Sequence, residues 1–216
     1  MVIDMDTMKA EPALAHTISA RDPQIHPIWL RLTHWINAFA ALIMMFSGWR
    51  IYDASPVFRD IIIPPAITLG GWLGGALQWH FAAMWLLVFN GLVYLAINLA
   101  SGRFTAKFFP LSPRAVLCDL VAALKGRLSH ADLGHYNAVQ KLAYLAVIVD
   151  LMVLVLSGLV IWKSVQFPLL RALMGGYDNA RIVHFFAMSA MAAFVVVHVA
   201  MVALVPRSLL IMLRGR

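Results

Sequence analysis

Residues 182–205 read IVHFFAMSAMAAFVVVHVAMVALV, an apolar run in which His184 and His198 are the only ionisable side chains. A helix of this length crosses the roughly 30 Å of hydrocarbon in a lipid bilayer. Three further apolar runs of similar length occur at 28–50, 79–100 and 140–162. The sequence therefore predicts an all-α membrane protein, built as a bundle of four transmembrane helices.

The composition of the whole chain supports this prediction. Of its 216 residues, 62% are hydrophobic and only 12% are charged, too few to cover the surface of a soluble protein of this size. The net charge of +7 does not indicate a nucleic-acid partner, because the basic residues cluster at the edges of the apolar runs. The single cysteine, Cys118, excludes an internal disulfide, a CxxCH haem attachment site and a cysteine-rich metal cage.

The predicted organisation is a four-helix domain at 26–206 between an N-terminal tail at 1–25 and a C-terminal tail at 207–216. Basic residues set its orientation, because short loops rich in lysine and arginine stay in the cytoplasm. Eleven such residues fall in the two tails, in the connector 101–137 and at Arg31 near the start of the first span, against five in or next to the other connectors. Both tails and the connector 101–137 are therefore predicted to be cytoplasmic.

Two long connectors carry structure of their own. The connector 53–77 is interrupted by Pro64-Pro65 and Gly70-Gly71, which predicts an extramembrane segment with one short interfacial helix and a second span that starts near Trp79. In the connector 101–137, Ser112-Pro113 starts an amphipathic stretch, which predicts an extra cytoplasmic interfacial helix.

Four of the eight histidines lie inside predicted spans: His34, His80, His184 and His198. Ionisable groups at membrane depth are costly and usually functional, although a histidine can also simply join packed helices by hydrogen bonds. Fourteen helical residues separate His184 from His198, so both face one side of the span, roughly 21 Å apart along its axis. The alternating direction of the spans places His34 level with His198, and His80 level with His184.

Two level pairs of histidines are the arrangement that two bis-histidine haems need in a four-helix bundle. A zinc site would bring three or four ligands to one level. A proton or metal channel would line its path with acids, and the spans contain only Asp150. The spacing therefore favours two haems.

A faint internal repeat relates the first two spans to the last two. Ser47-Gly48 matches Ser157-Gly158 at an offset of 110 residues, and His80 matches His184 at an offset of 104. The outer histidine pair would then consist of equivalent residues. The inner pair would not, because the same offsets map His34 onto Tyr144 and His198 onto Tyr94.

The histidines and the short motifs around them resemble the bacterial cytochrome b561 and nickel–iron hydrogenase cytochrome b family: His26-Pro27, Arg31, His34-Trp35, Ser47-Gly48, His80, Ser157-Gly158, His184 and His198. The resemblance covers about residues 26–206 and implies a multi-pass protein of the bacterial inner membrane with two haem b groups. It also implies electron transfer between quinone or quinol and a redox partner protein, periplasmic or membrane-associated, such as a molybdoenzyme or a hydrogenase.

Several other residues are candidates for the same site. Arg31 could pair with a haem propionate, and Gly48 and Gly158 could let the backbone approach a porphyrin face, although interface anchoring and helix packing would explain them as well. A weaker resemblance to formate dehydrogenase cytochrome subunits suggests that Asn98 and Gly102 border a quinone pocket.

Two other functions remain open at this point. Some short members of the family oxidise superoxide, so a stand-alone superoxide:quinone oxidoreductase is one alternative, and a histidine-lined metal or haem permease without redox activity is the other. The long connectors favour a docked partner instead. Both outer connectors carry apolar side chains that should pack on something: Phe58, Ile61, Ile62, Ile63, Trp72, Phe167, Leu169, Leu170 and Tyr177.

Overall fold

The computed structural model describes residues 26–102, 110–125 and 137–215. All regular elements in these ranges are helical. In chain order they are α1 (Ile28–Ala54), a 3-10 helix (Pro65–Ile67), α2 (Leu73–Ala100), α3 (Pro113–Leu124), α4 (Ala138–Trp162), α5 (Pro168–Leu173), α6 (Tyr177–Leu204) and α7 (Pro206–Arg214). Helices α1, α2, α4 and α6 are long and apolar enough to cross a membrane, which confirms the prediction of four spans. The predicted tail 1–25 lies outside the described residues.

The four long helices form two hairpins. Helix α1 packs along α2, and α4 packs along α6, whereas close backbone contacts between the two hairpins are sparse. Each hairpin contains small buried side chains, Ala40, Ala76 and Ala83 in the first and Ala180 and Ala187 in the second. Small residues let membrane helices approach closely, which fits the close backbone contacts within each hairpin.

Helix α2 begins at Leu73, earlier than the predicted start near Trp79. The glycines before it form a turn with positive φ angles, 106° at Gly70 and 68° at Gly71. The chain then packs back on this turn, because a Cβ on Gly75 would collide with the carbonyl oxygen of Gly70. Gly70 and Gly71 were predicted to interrupt the segment, and they instead form the turn on which the first turn of α2 packs closely.

The connector between α1 and α2 folds over one end of the bundle. The Tyr52 hydroxyl donates to the carbonyl of Phe58 at 2.9 Å, and the ring of Phe58 lies 5.2 Å from that of Phe185 on α6. The Asp53 carboxylate accepts from the backbone of Ile63 at 3.0 Å. We call residues 55–72 the cap, since they close the end of the bundle at which α1 finishes and α2 begins.

Helix α7 occupies most of the segment predicted as a C-terminal tail. The Arg31 guanidinium donates from Nη1 to the Leu213 carbonyl at 2.7 Å, and the backbone of His26 donates to that of Gly215 at 3.5 Å. Gly215 ends the helix in the left-handed conformation, with φ at 87°. The end of the described chain is therefore attached to the start of α1.

Candidate functional site

The outer histidine pair has the same surroundings in both hairpins. His80 lies on α2, and its Nδ1 is 3.1 Å from the hydroxyl of Ser47 on α1. His184 lies on α6, and its Nδ1 is 2.9 Å from the hydroxyl of Ser157 on α4. Both serines are fully buried. The two imidazoles are close enough to interact electrostatically across the hairpins.

The glycines next to these serines make room for the imidazoles. A Cβ on Gly48 would lie 3.4 Å from Cε1 of His80, and a Cβ on Gly158 would lie 3.4 Å from Cε1 of His184. Each ring thus lies against a serine hydroxyl and the adjacent glycine of the facing helix. The agreement of both distances confirms the internal repeat predicted from the sequence.

The inner pair joins the two hairpins. The rings of His34 on α1 and His198 on α6 have centroids 6.2 Å apart, with 57° between their planes. Phe194 stacks on His198 at 5.6 Å, and Trp35 makes an edge contact with His34 at 5.5 Å. An imidazole nitrogen binds a transition metal at about 2 Å and its ring centroid lies about 1 Å behind it, so two rings on one metal have centroids roughly 6 Å apart.

The repeat breaks down at this inner level. Tyr94 on α2 and Tyr144 on α4 occupy the positions equivalent to His198 and His34, and they too lie close enough to interact. One side of the inner level therefore carries two imidazoles and the other carries two phenols. In the ranges 26–102, 110–125 and 137–215, no group of three or more metal-binding side chains converges.

Comparison with known proteins agrees with this arrangement. The sequence model of the prokaryotic cytochrome b561 family matches residues 25–215 of the chain. The chain belongs to this family. It is therefore a multi-pass membrane protein of electron transport, and haem b is the cofactor that cytochrome b561 membership implies.

A relative of this cytochrome b561 occurs in Azospira oryzae, where it carries the provisional name protein-methionine-sulfoxide reductase subunit YedZ1. The two sequences are 68% identical over 191 residues, which cover 88% of this chain and 96% of the relative. No solved structure gives a significant match.

The residues present fit haem b. The centroid separation of His34 and His198 suits one shared iron, and the glycines beside His80 and His184 leave the imidazoles in place without a side chain over them. Histidine nitrogens are ordinary axial ligands of haem iron. The paired donors of this cytochrome b561 therefore match the chemistry of the group that its family uses.

The structure does not gather all of the predicted site residues at the histidines. Arg31 contacts α7 through Nη1, and its Nε is buried without a hydrogen-bond partner. The buried Asn98 donates from its side-chain nitrogen to the Tyr94 carbonyl at 2.8 Å, one turn below the phenol pair. Gly102 ends α2 with φ at 66°. Asp150, in the middle of α4, has a buried Oδ2 without a hydrogen-bond partner.

The contribution of Ser47 and Ser157 was not predicted from the sequence. Each serine directly precedes one of the repeated glycines, and only the glycines were assigned a role there. The available signal was the recurrence of a hydroxyl residue beside a glycine in both halves of the repeat. That pattern at membrane depth indicates a hydrogen bond to a group on the neighbouring helix.

Proposed function

We propose that this cytochrome b561 carries electrons from quinol, across the bacterial inner membrane, to a periplasmic reductase that repairs methionine sulfoxide in proteins. The observation that carries the proposal is the pair formed by His34 and His198, whose 6.2 Å separation suits one iron. His80 and His184, which have equivalent surroundings in the two hairpins, supply the second set of imidazoles. The name of the Azospira oryzae relative supports the choice of partner.

Two haem b groups are bound in this proposal. His34 and His198 hold one, and His80 and His184 hold the other. Haem b supplies a carrier that accepts and releases one electron at a time. The two levels are roughly 21 Å apart along α6, because fourteen helical residues separate its two histidines.

Aromatic side chains surround the outer end of this route. At the cap, the rings of Tyr52, Phe58 and Phe185 contact one another and cover the outer end. At the same end of the bundle, Phe81 and Trp162 pack across the hairpins with centroids 5.2 Å apart. The low dielectric environment reduces the reorganisation that accompanies each change of charge.

The quinol site belongs at the inner level in this proposal, near Asn98 and Gly102. The side-chain nitrogen of Asn98 is already bonded to Tyr94, so its oxygen is positioned as an acceptor for a quinol hydroxyl. Oxidation of one quinol releases two electrons and two protons. Reduction of one methionine sulfoxide to methionine and water consumes the same number of each, so the overall reaction balances.

The partner is proposed to dock on the outer face. Ile62 in the cap is 76% exposed, and Leu169 and Leu173 on α5 are 73% and 76% exposed. Contact with the lipid headgroup region would also account for apolar side chains at this level. A variant that changes this surface without touching the histidines distinguishes partner docking from lipid contact.

The decisive experiment follows electrons through the whole route. We expect purified protein to show b-type haem bands that a quinol reduces without oxygen, and to transfer those electrons to a co-produced periplasmic reductase, measured as methionine formed from protein-bound methionine sulfoxide. An Ile62→Glu variant should keep the first reaction and slow the second.

Three outcomes would contradict the proposal at different points. Haems that quinol fails to reduce would exclude the quinol step. Reduced haems that transfer nothing to the reductase would exclude this partner. Rapid haem reduction by superoxide, with quinone as the acceptor, would favour a stand-alone superoxide:quinone oxidoreductase.

Both chain termini are proposed to lie in the cytoplasm. The positive-inside count supports this, and Arg31, Arg207 and Arg214 lie at the same end of the bundle, around α7. We expect a C-terminal green fluorescent protein fusion to fluoresce and an alkaline phosphatase fusion at the same site to be inactive. Fusions after Gln166, in the opposite connector, should give the reverse pattern, and an active C-terminal phosphatase would invert the assignment.

A further inference from the structure

Two buried serines contact the outer histidines at equivalent atoms in the two hairpins. We propose that Ser47 and Ser157 are positioning residues that fix the tautomer of His80 and His184 and lower the reduction potential of the outer haem. The inference rests on the proposed function, since it requires both histidines to be iron ligands.

The single hydroxyl proton of Ser47 determines the direction of its contact with His80. The hydroxyl oxygen lies 2.6 Å from the carbonyl of Ile43, one turn earlier in α1, but 3.1 Å from Nδ1 of His80. A carbonyl can only accept, so the proton is donated to Ile43. The oxygen is then left as an acceptor, and the hydrogen bond to the imidazole must come from Nδ1–H.

The second hairpin repeats this arrangement. The Ser157 hydroxyl lies 2.6 Å from the carbonyl of Val153 and 2.9 Å from Nδ1 of His184. Its proton is committed to the carbonyl for the same reason, so Nδ1 of His184 is again the donor. The two helix pairs related by the internal repeat thus keep one hydrogen-bond pattern around their histidines.

The consequence for each imidazole is a single tautomer, which the backbone carbonyls of Met44 and Leu154 also favour because they accept hydrogen bonds from His80 and His184. With its proton on Nδ1, the ring presents an unprotonated Nε2, which is the form that binds a metal. Gly48 and Gly158 follow the serines in the same helices and present only backbone to the Cε1 and Nδ1 atoms of the rings, so no side chain crowds the hydrogen bond. A partner that accepts from Nδ1–H also raises the basicity of the ligating nitrogen and thereby favours oxidised iron.

The inner pair lacks such a partner in the part of the chain that the structure describes. There His34 and His198 make ring contacts, with Trp35 and Phe194 among their neighbours, and no side-chain hydrogen bond to a hydroxyl or carbonyl is found. Changing the serines should therefore affect only one of the two haems. This selectivity separates a positioning role from a general loss of stability.

The test compares Ser47→Ala and Ser157→Ala with a matched control, Ser189→Ala. Ser189 lies on α6 and donates to the Phe185 carbonyl at 2.8 Å in the same way, but it contacts no histidine. We expect each of the first two variants to shift the potential of one haem to more positive values in a spectroscopic redox titration, and to change one low-spin ferric signal in electron paramagnetic resonance. Retention of that haem should weaken by about 10–100-fold.

In the serine variants the potential of the inner haem should be unchanged. In the Ser189→Ala variant the potentials of both haems should be unchanged. Ser47→Thr and Ser157→Thr keep the hydroxyl and should restore the wild-type potential. If the alanine variants do not accumulate, Ser47→Cys and Ser157→Cys keep the side-chain size with a weaker acceptor and should shift the same potential in the same direction.

The results that overturn this inference differ from those that overturn the proposed function. Two haems that both survive His80→Ala would show that His80 is not a ligand, and the proposed function would fail. If His80→Ala removes one haem while the serine variants keep wild-type potentials, only the serine role fails. The serine role would also fail if Ser189→Ala shifted the haem potential by the same amount, because the effect would then come from altered helix packing.

Discussion

Replacing His80 with alanine is expected to halve the haem content of the purified protein, from two groups per chain to one. The remaining imidazole of the outer pair, on His184, leaves the iron one axial ligand short, and a haem b has no covalent attachment to hold it. The inner pair, at 6.2 Å between His34 and His198, does not involve this residue and should keep its spectrum. A pyridine haemochrome assay with protein quantitation measures the number of haem groups per chain.

His184→Ala should give the same loss, because the repeat places both residues in equivalent surroundings. His16→Ala, outside the predicted spans, serves as the control and should retain two haems. The prediction is wrong if the ratio stays at two, if a c-type spectrum appears, or if an experimental structure places His34 and His80 on one iron.

Leucine at Gly48 or Gly158 is expected to remove the outer haem as completely as loss of a ligand. A Cβ at either position would already lie 3.4 Å from the Cε1 atom of an imidazole, which is ordinary van der Waals contact. The remaining atoms of leucine would occupy the space of the ring, and they would break its hydrogen bond to the neighbouring serine. Haem content and the outer haem's ferric signal measure the loss.

The chain offers two controls for this experiment. Gly48→Ala adds only the Cβ and should keep both haems. Gly91 lies in α2 with no atom within 4 Å of a Cβ placed there, so Gly91→Leu should leave the haem content at two. Equal loss of haem in the Gly91 variant would attribute the effect to membrane insertion, and unchanged haem in Gly48→Leu would exclude close confinement of His80.

The helical period and the alternating direction of the spans predict which histidines share a level. Fourteen residues on one helix fix both the height and the face of His184 and His198, and the alternation of spans fixes the heights of His34 and His80. The structure brings His34 and His198 together, as this reasoning expects. The apolar runs likewise predicted all four spans, because membrane thickness sets their length.

The contacts of Ser47 and Ser157 with the histidines could not be predicted from the helical period. A hydrogen bond at 2.9 Å depends on how two helices approach and rotate, and the period determines neither to that accuracy. Helix α7 was missed for another reason, since its nine residues are too few to span a membrane. The available signal was Pro206, because proline is common at the first turn of a helix.

The separation of the bundle into two closely packed hairpins has a consequence for biogenesis. Each hairpin, α1 with α2 and α4 with α6, contains its own tight backbone contacts and its own serine–histidine bond, so it can complete its packing soon after leaving the translocon. Joining the halves then depends on contacts between them, such as Tyr52 with Phe185 and Phe81 with Trp162, and on the histidines of both hairpins. With haems bound as proposed, cofactor loading is the last stage of assembly, and it couples the yield of mature protein to the cell's supply of haem.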